Sequence, residues 1–130
     1  MIILLDTSVI IDALRYRRGR REFLEQRSQA GDILACCVIS VAEVYAGMMP
    51  SEAEATEEFF QGLECIEITE EIARKAGGLK YEWARKGRTL DIPDAIIAAL
   101  ALNLEDLALA TDNQKDFPMP GLRFCALPTT

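Results

Sequence analysis

With 130 residues, half of them apolar and 27% charged, the chain has the size and composition of one soluble globular domain, residues 1–130, able to bury roughly two-thirds of its unfolded surface without covalent staples. It contains no histidine, which excludes Ser-His-Asp and Cys-His catalysis, imidazole general bases and histidine metal ligands. The net charge of −7 argues against indiscriminate binding of nucleic acid, and the longest apolar stretch, residues 95–102, is far short of the about 20 residues that cross a bilayer.

The first element in chain order is a short apolar run, Ile2-Ile-Leu-Leu5, stopped by Asp6, Thr7 and Ser8. Such a run suits a strand buried on both faces. No basic segment precedes it, so no secretory leader is expected, and the expected location is cytoplasmic. Residues 8–14 read as a short helix with Thr7 or Ser8 as N-cap, and residues 19–30 as a second helix ending near Gly31. Residues 33–38 form the next apolar strand. Ser40-Val-Ala-Glu43 and Ser51-Glu-Ala-Glu54 both fit the S-x-x-E capping box, which predicts helix starts near Val41 and Glu52. Residues 65–68 read as a third strand, and Thr69 as the cap of a long helix through Ala76 and Trp83 to Gly87. Pro93 marks the first turn of an alanine-rich helix that ends near Asn103. Residues 107–110 and 122–124 complete the set as a fourth and a fifth strand.

Strands alternating with helices predict an α/β fold, a three-layer α/β/α arrangement with a mainly parallel central sheet. In such sheets sites form at the carboxyl ends of the strands, where the strand order reverses. That gives meaning to acids placed just after strands. Asp6 follows the first strand. Glu43 lies one turn into the helix after the second, Asp94 opens the alanine-rich helix, and Asp112, Asn113 and Asp116 follow the fourth strand. Carboxylates gathered in one place repel each other and must take up protons or a cation. An all-oxygen donor set suits Mg²⁺ or Mn²⁺, ions that can activate water and clamp a phosphodiester.

Each acid also has a plain reading. Glu43 can complete the Ser40 capping box, Asp94 can complement a helix dipole with Asp91 as cap, and Asp112 and Asp116 can be turn residues. Asp6 is hardest to dismiss, because an acid directly after a buried strand needs a partner. Other carboxylate sites on α/β sheets lack their residues here. Position 8 is serine, so there is no D-x-D, no lysine follows the last strand, and no phosphate-cradling glycine loop is present. The four cysteines, Cys36, Cys37, Cys65 and Cys125, form no C-x-x-C and read as buried small apolar residues. Two basic clusters, Arg15, Arg17, Arg18, Arg20 and Arg21, then Arg85, Lys86 and Arg88, are either solvated helix faces or polyanion contacts.

Four stretches in order, LLDTSVIIDAL at 4–14, ISVAEVYAGM at 39–48, IPDAIIAALAL at 92–102 and LATDNQKDF at 109–117, together resemble a PIN domain. More narrowly they resemble the VapC-type ribonuclease toxins of toxin–antitoxin pairs. The resemblance implies an endoribonuclease that uses Mg²⁺, with Mn²⁺ as a substitute. It makes Asp6 and Asp94 the principal metal ligands and Glu43 the third acid of the pocket. Thr7 or Ser8 would orient Asp6 or contact the metal shell. In the fourth stretch, where such proteins often carry an acid two residues after the residue matching Thr111, this chain has Asn113, flanked by Asp112 and followed by Asp116. The expectation is Asn113 orienting a water or ligand, with Asp116 as the nearest acid. The resemblance further implies a VapB-type antitoxin partner, an RNA substrate and a homodimer or a higher toxin–antitoxin assembly, with no membrane partner. The cluster from Arg15 to Arg21 is then expected to meet the RNA backbone. The competing reading is a PIN-like module without nuclease activity that only binds a partner protein or RNA.

Overall fold

Strand β1 (Ile2–Leu5) lies inside the sheet of the computed structural model, which describes residues 1–129. It pairs in parallel with β2 (Ile33–Cys37) on one side and with β4 (Leu107–Ala110) on the other, and β3 (Glu64–Ile66) adds in parallel outside β2. The order is therefore β3-β2-β1-β4. Alternation along β1 explains why it must be apolar throughout. Ile3 and Leu5 point into one core and Leu4 into the other, and all three are buried.

The core holding Ile3 and Leu5 is completed by helices α1 (Thr7–Leu14), α2 (Arg20–Gln29) and α3 (Val38–Gly47), through Val9, Ile10, Leu24 and Val44, with Phe59 and Phe60 of α4 (Ala53–Gln61) against them. The opposite core is built by α5 (Glu70–Arg85) and α6 (Ile92–Asn103). In α6, Ala95, Ala98 and Ala99 are buried together with Ile97 and Leu100, so small residues bring this helix close against the sheet and α5. These two covered faces make the three-layer α/β/α arrangement expected from the sequence.

Several boundaries differ from expectation for identifiable reasons. Helix α1 begins at Thr7, and its N-cap is Asp6 rather than Thr7 or Ser8, because the Asp6 carboxylate accepts the Thr7 N–H. Helix α3 begins at Val38, directly after β2, so Ser40 and Glu43 already lie inside it and form no capping box. The second expected box is displaced as well. A 3-10 turn at Pro50–Glu52 precedes α4, and Glu52 accepts the Met49 N–H at 2.8 Å, which with the ion pair to Arg15 holds its carboxyl below the usual range. Thr69 caps α5 as expected, accepting the Ile72 N–H at 3.2 Å. The expected fifth strand is reduced to one parallel bridge between Phe124 and Leu109, because Gly121, at φ +91°, turns the chain in only just before it. Among the cysteines, Cys65 is exposed on β3, contrary to expectation, while the other three are buried, and burial and the neighbouring Cys65 push the Cys36 thiol up to about 12. Among the described residues no helix is long and apolar enough to cross a membrane.

Candidate active site

The sheet order reverses at β1, since the chain moves outward to β2 and β3 and later returns to add β4 on the other side. Loops leaving the carboxyl ends of β1 and β4 therefore part there and leave a crevice. Asp6 follows β1 and Thr111 follows β4. The two meet across the crevice, with the Thr111 hydroxyl donating to Asp6 Oδ2 at 2.7 Å while Asp6 Oδ1 accepts the Thr7 N–H at 2.9 Å. The Asn113 N–H donates to Thr111 Oγ1 at 3.1 Å, which leaves that hydroxyl's single proton for Asp6. A carboxylate that is 9% exposed is thus held by one hydrogen bond on each oxygen, with lone pairs on both still free. Replacing Thr111 with valine removes the donor without changing the shape. The expected cost is about 1–3 kcal/mol in urea unfolding at neutral pH; an unchanged midpoint would mean the hydrogen bond contributes nothing.

Glu43 reaches the same place from α3. Because that helix starts at Val38, Ser40 and Glu43, three apart, share one face, and that face meets Thr7 at the start of α1. The Thr7 hydroxyl stands 2.7 Å from Glu43 Oε1 and 3.1 Å from Ser40 Oγ. A carboxylate only accepts, so Thr7 gives its one proton to Glu43, and the fully buried Ser40 supplies its own to Thr7. Ser40 is a site residue that the S-x-x-E spacing disguises as a cap, although the same spacing puts it on one face with Glu43.

Asp94 opens α6 from the other side of the sheet. Its carboxyl is pushed up to about 6, first by burial, then by repulsion from Asp6, Asp116, Asp91 and Glu43. Asp6 is also raised, again mainly by burial, with Glu43 and Asp112 adding repulsion and the Thr111 and Thr7 hydrogen bonds opposing it. Asp6, Glu43 and Asp116, distant in sequence, therefore stand close enough to Asp94 to disfavour its charge, and Glu43 stands close enough to Asp6 to do the same there. Asp91, read as a possible cap, makes no side-chain capping bond. Among the described residues no three such acids already stand at gripping distance of one ion, so the cup is open. Its donors are all oxygens, the kind hard divalent cations take. The hollow between α2 and α4, about 340 Å³ and lined by Tyr16, Leu24, Phe59 and Leu63, contains none of these acids.

The remaining expected residues divide. Asn113 is exposed beside Thr111, and Asp116 ends a 3-10 turn at Gln114–Asp116. Asp112 is occupied by arginines. Arg20 Nη2 lies 2.7 Å from its Oδ1 and Arg18 Nη1 3.2 Å from the same oxygen, and the Arg20 hydrogen bond above all holds this carboxyl below the usual range. The Ser8 hydroxyl is buried near Asp112 without completing a hydrogen bond of its own. Arg20 corrects the expectation for the basic cluster. It is 1% exposed, inside the protein rather than facing a substrate, because its forked partner is the fourth-stretch acid. Arg21 lies over the Tyr16 and Phe59 rings and donates to the Ala13 carbonyl, and Arg15 pairs with Glu52 at 3.5 Å. Arg17 and Arg18 are exposed, and Arg18 is paired with Asp112 at 3.2 Å and Asp12 at 3.4 Å.

Comparison with known proteins bears on this geometry. A family model described as PIN domain matches residues 3–118. The chain is 34% identical over 116 residues to Ribonuclease VapC19 of Mycobacterium tuberculosis, covering 89% of this chain and 92% of that protein. It is 35% identical over 118 residues to Ribonuclease VapC10 of the same organism, covering 91% and 87%. Among solved structures, VapBC2 from Rickettsia felis bound to a promoter DNA fragment superposes with a TM-score of 0.83 at 25% identity, covering 96% of this chain and 98% of that one. A toxin–antitoxin complex from Klebsiella pneumoniae superposes at 0.73 with 32% identity, covering 92% and 94%.

Proposed function

The chain belongs to the PIN domain family, and from that premise we propose that it is an endoribonuclease toxin whose acidic cup holds Mg²⁺. The observation that carries the reading is the repulsion that Asp6, Asp116 and Glu43 exert on Asp94, and Glu43 on Asp6, around one crevice, a charge arrangement that a divalent cation relieves. The relatives named as ribonucleases and the matching toxin–antitoxin complexes support it. Asp6 and Asp94 are the principal ligands and Glu43 the third; Mn²⁺ substitutes. Bound there, the ion supplies Lewis-acid polarisation of a phosphodiester and a lowered water pKa.

The chain's own residues do the positioning. Thr111 and Thr7 hold the two oxygens of Asp6, so its free lone pairs keep one direction. Thr7, backed by Ser40, fixes Glu43. Asn113 orients a water or the substrate, with Asp116 as the nearest acid. The partner is a VapB-type antitoxin, and the toxin is a homodimer or part of a larger toxin–antitoxin assembly. RNA cleavage by the purified protein tests the reading: cutting is expected with Mg²⁺ or Mn²⁺ and lost with chelator, and cutting that persists in excess chelator would refute it.

A PIN-like binding module without turnover is the second reading, favoured by the open spacing of the acids among the described residues. Tight RNA or protein binding with no metal-dependent cutting would select it. The basic loop gives a further prediction. On an Asp6→Asn background, Arg17→Gln should weaken single-stranded RNA binding evenly across sequences and reduce the log–log salt slope by about 0.7. An unchanged slope would remove Arg17 from the RNA path.

A further inference from the structure

Arg20 carries a charge into the interior, and the chemistry above gives it no task. Its Nη2 and Nη1 meet Asp112 Oδ1 and Oδ2 at 2.7 and 3.2 Å, and its Nε donates to the Pro128 carbonyl at 3.1 Å. Arg18 bridges the same Asp112 oxygen at 3.2 Å and Asp12 Oδ2 at 3.4 Å. The loop that delivers both arginines bends through Tyr16, Arg18 and Gly19, all at left-handed φ values of 54°, 53° and 65°. Two of the three carry side chains that disfavour such a backbone. A buried ion pair is weak evidence for stability, because desolvation offsets much of the attraction. Its geometry is informative, since a forked guanidinium–carboxylate pair fixes orientation as well as distance.

What it orients is the turn at residues 111–113. Asp112 is flanked by Thr111, whose hydroxyl holds Asp6, and by Asn113, whose N–H holds that hydroxyl. We propose that Arg20 is a positioning residue for the acidic cup: its forked pair with Asp112 fixes this turn, and through it the Thr111 hydroxyl that orients Asp6. The inference rests on the nuclease reading and deepens it. It also gives Asp112 an anchoring role among the fourth-stretch acids.

Arg20→Lys keeps the charge and loses the fork. Three readouts apply: amide hydrogen exchange at Asn113 in metal-free protein, Mn²⁺ affinity by calorimetry, and RNA cleavage well below the melting temperature. The expected result is faster Asn113 exchange, Mn²⁺ binding weaker by about 10–100-fold, and kcat reduced with the RNA KM nearly unchanged. Adding Asp112→Asn to Arg20→Lys should cost little beyond either single change, because both break one contact. A purely structural role lowers the melting temperature and leaves Asn113 exchange and Mn²⁺ affinity as in the parent, which would overturn the proposal. If Arg20→Lys does not fold, Asp112→Asn alone carries the same readouts. If the parent binds no Mn²⁺ and cuts no RNA, the nuclease reading fails, and Asn113 exchange in the variant still decides the positioning claim.

Discussion

Asp6→Asn is expected to reduce metal-dependent RNA cleavage by more than about 100-fold while leaving the protein folded and at least as stable as the parent. Both halves follow from one position. Asp6 sits at the end of a strand buried on both faces, at the junction where β1, β4 and α1 meet, so its charge is costly there unless a cation answers it. Burial raises its pKa, and Glu43 and Asp112 add to the repulsion. Asparagine keeps an oxygen for the hydrogen bonds of Thr7 or Thr111 and removes the charge. The gain in stability and the loss of activity therefore have the same cause, and a cleavage assay beside a urea titration reads both. Asp6→Asn cutting RNA as fast as the parent would end the proposed mechanism, whatever its stability.

The second large effect is a pH dependence. Asp94 titrates near 6 in the folded, metal-free protein against 3.8 for the unconstrained group. Between those values the folded state binds more protons than the unfolded one, so stability is greater at the acidic end and falls as pH rises from 3.8 through 6. The full shift corresponds to about 3 kcal/mol, but Asp94 is only half-buried, and solvent screening reduces the expected loss to about 1–2 kcal/mol. Asp94→Asn should match the parent near the lower end of the window and exceed it by that amount at pH 7.5, with cleavage lost. Adding Mg²⁺ should recover the parent's stability far more than the variant's, because a ligand stabilises in proportion to its binding. Asp112 acts in the opposite direction. Arg20 lowers its pKa, so its contribution is present at neutral pH and is lost as pH falls. A parent more stable than Asp94→Asn at pH 7.5 without metal would contradict the mutual repulsion on which the site is built.

The parts of this fold that could be read in the sequence are those whose cause is local. Ile2 to Leu5 and the alanine-rich α6 announce themselves by unbroken apolar runs, and Thr69 and Pro93 by their positions at helix starts. Asp6 was legible because a charge against a buried strand violates the local pattern. Where the cause is distant, the sequence misleads. Val38 and Ile39 continue the apolar run of β2, yet the helix begins at Val38, and Ser40 and Glu43 meet Thr7 only through contacts 33 and 36 positions away in sequence. Arg20 lies among basic residues of a polar helix start, and nothing nearby signals that its partner is Asp112, 92 positions on. Residues 122–124 have strand composition, but the pairing is a single bridge opposite Leu109, whose N–H donates to the Arg123 carbonyl at 2.8 Å and whose carbonyl accepts the Cys125 N–H at 2.9 Å. The acids were each visible, and only the parallel order β3-β2-β1-β4 brings their loops to one edge.

The central claim is that Asp6, Glu43 and Asp94 share one divalent cation. The measurement that addresses it without intermediaries is an anomalous difference map from crystals grown with Mn²⁺. One strong peak bonded to carboxylate oxygens of both Asp6 and Asp94, at about 2.0–2.3 Å, is the expected result. A map with Mn²⁺ bound only elsewhere on the protein, and those two carboxylates bare, would contradict it.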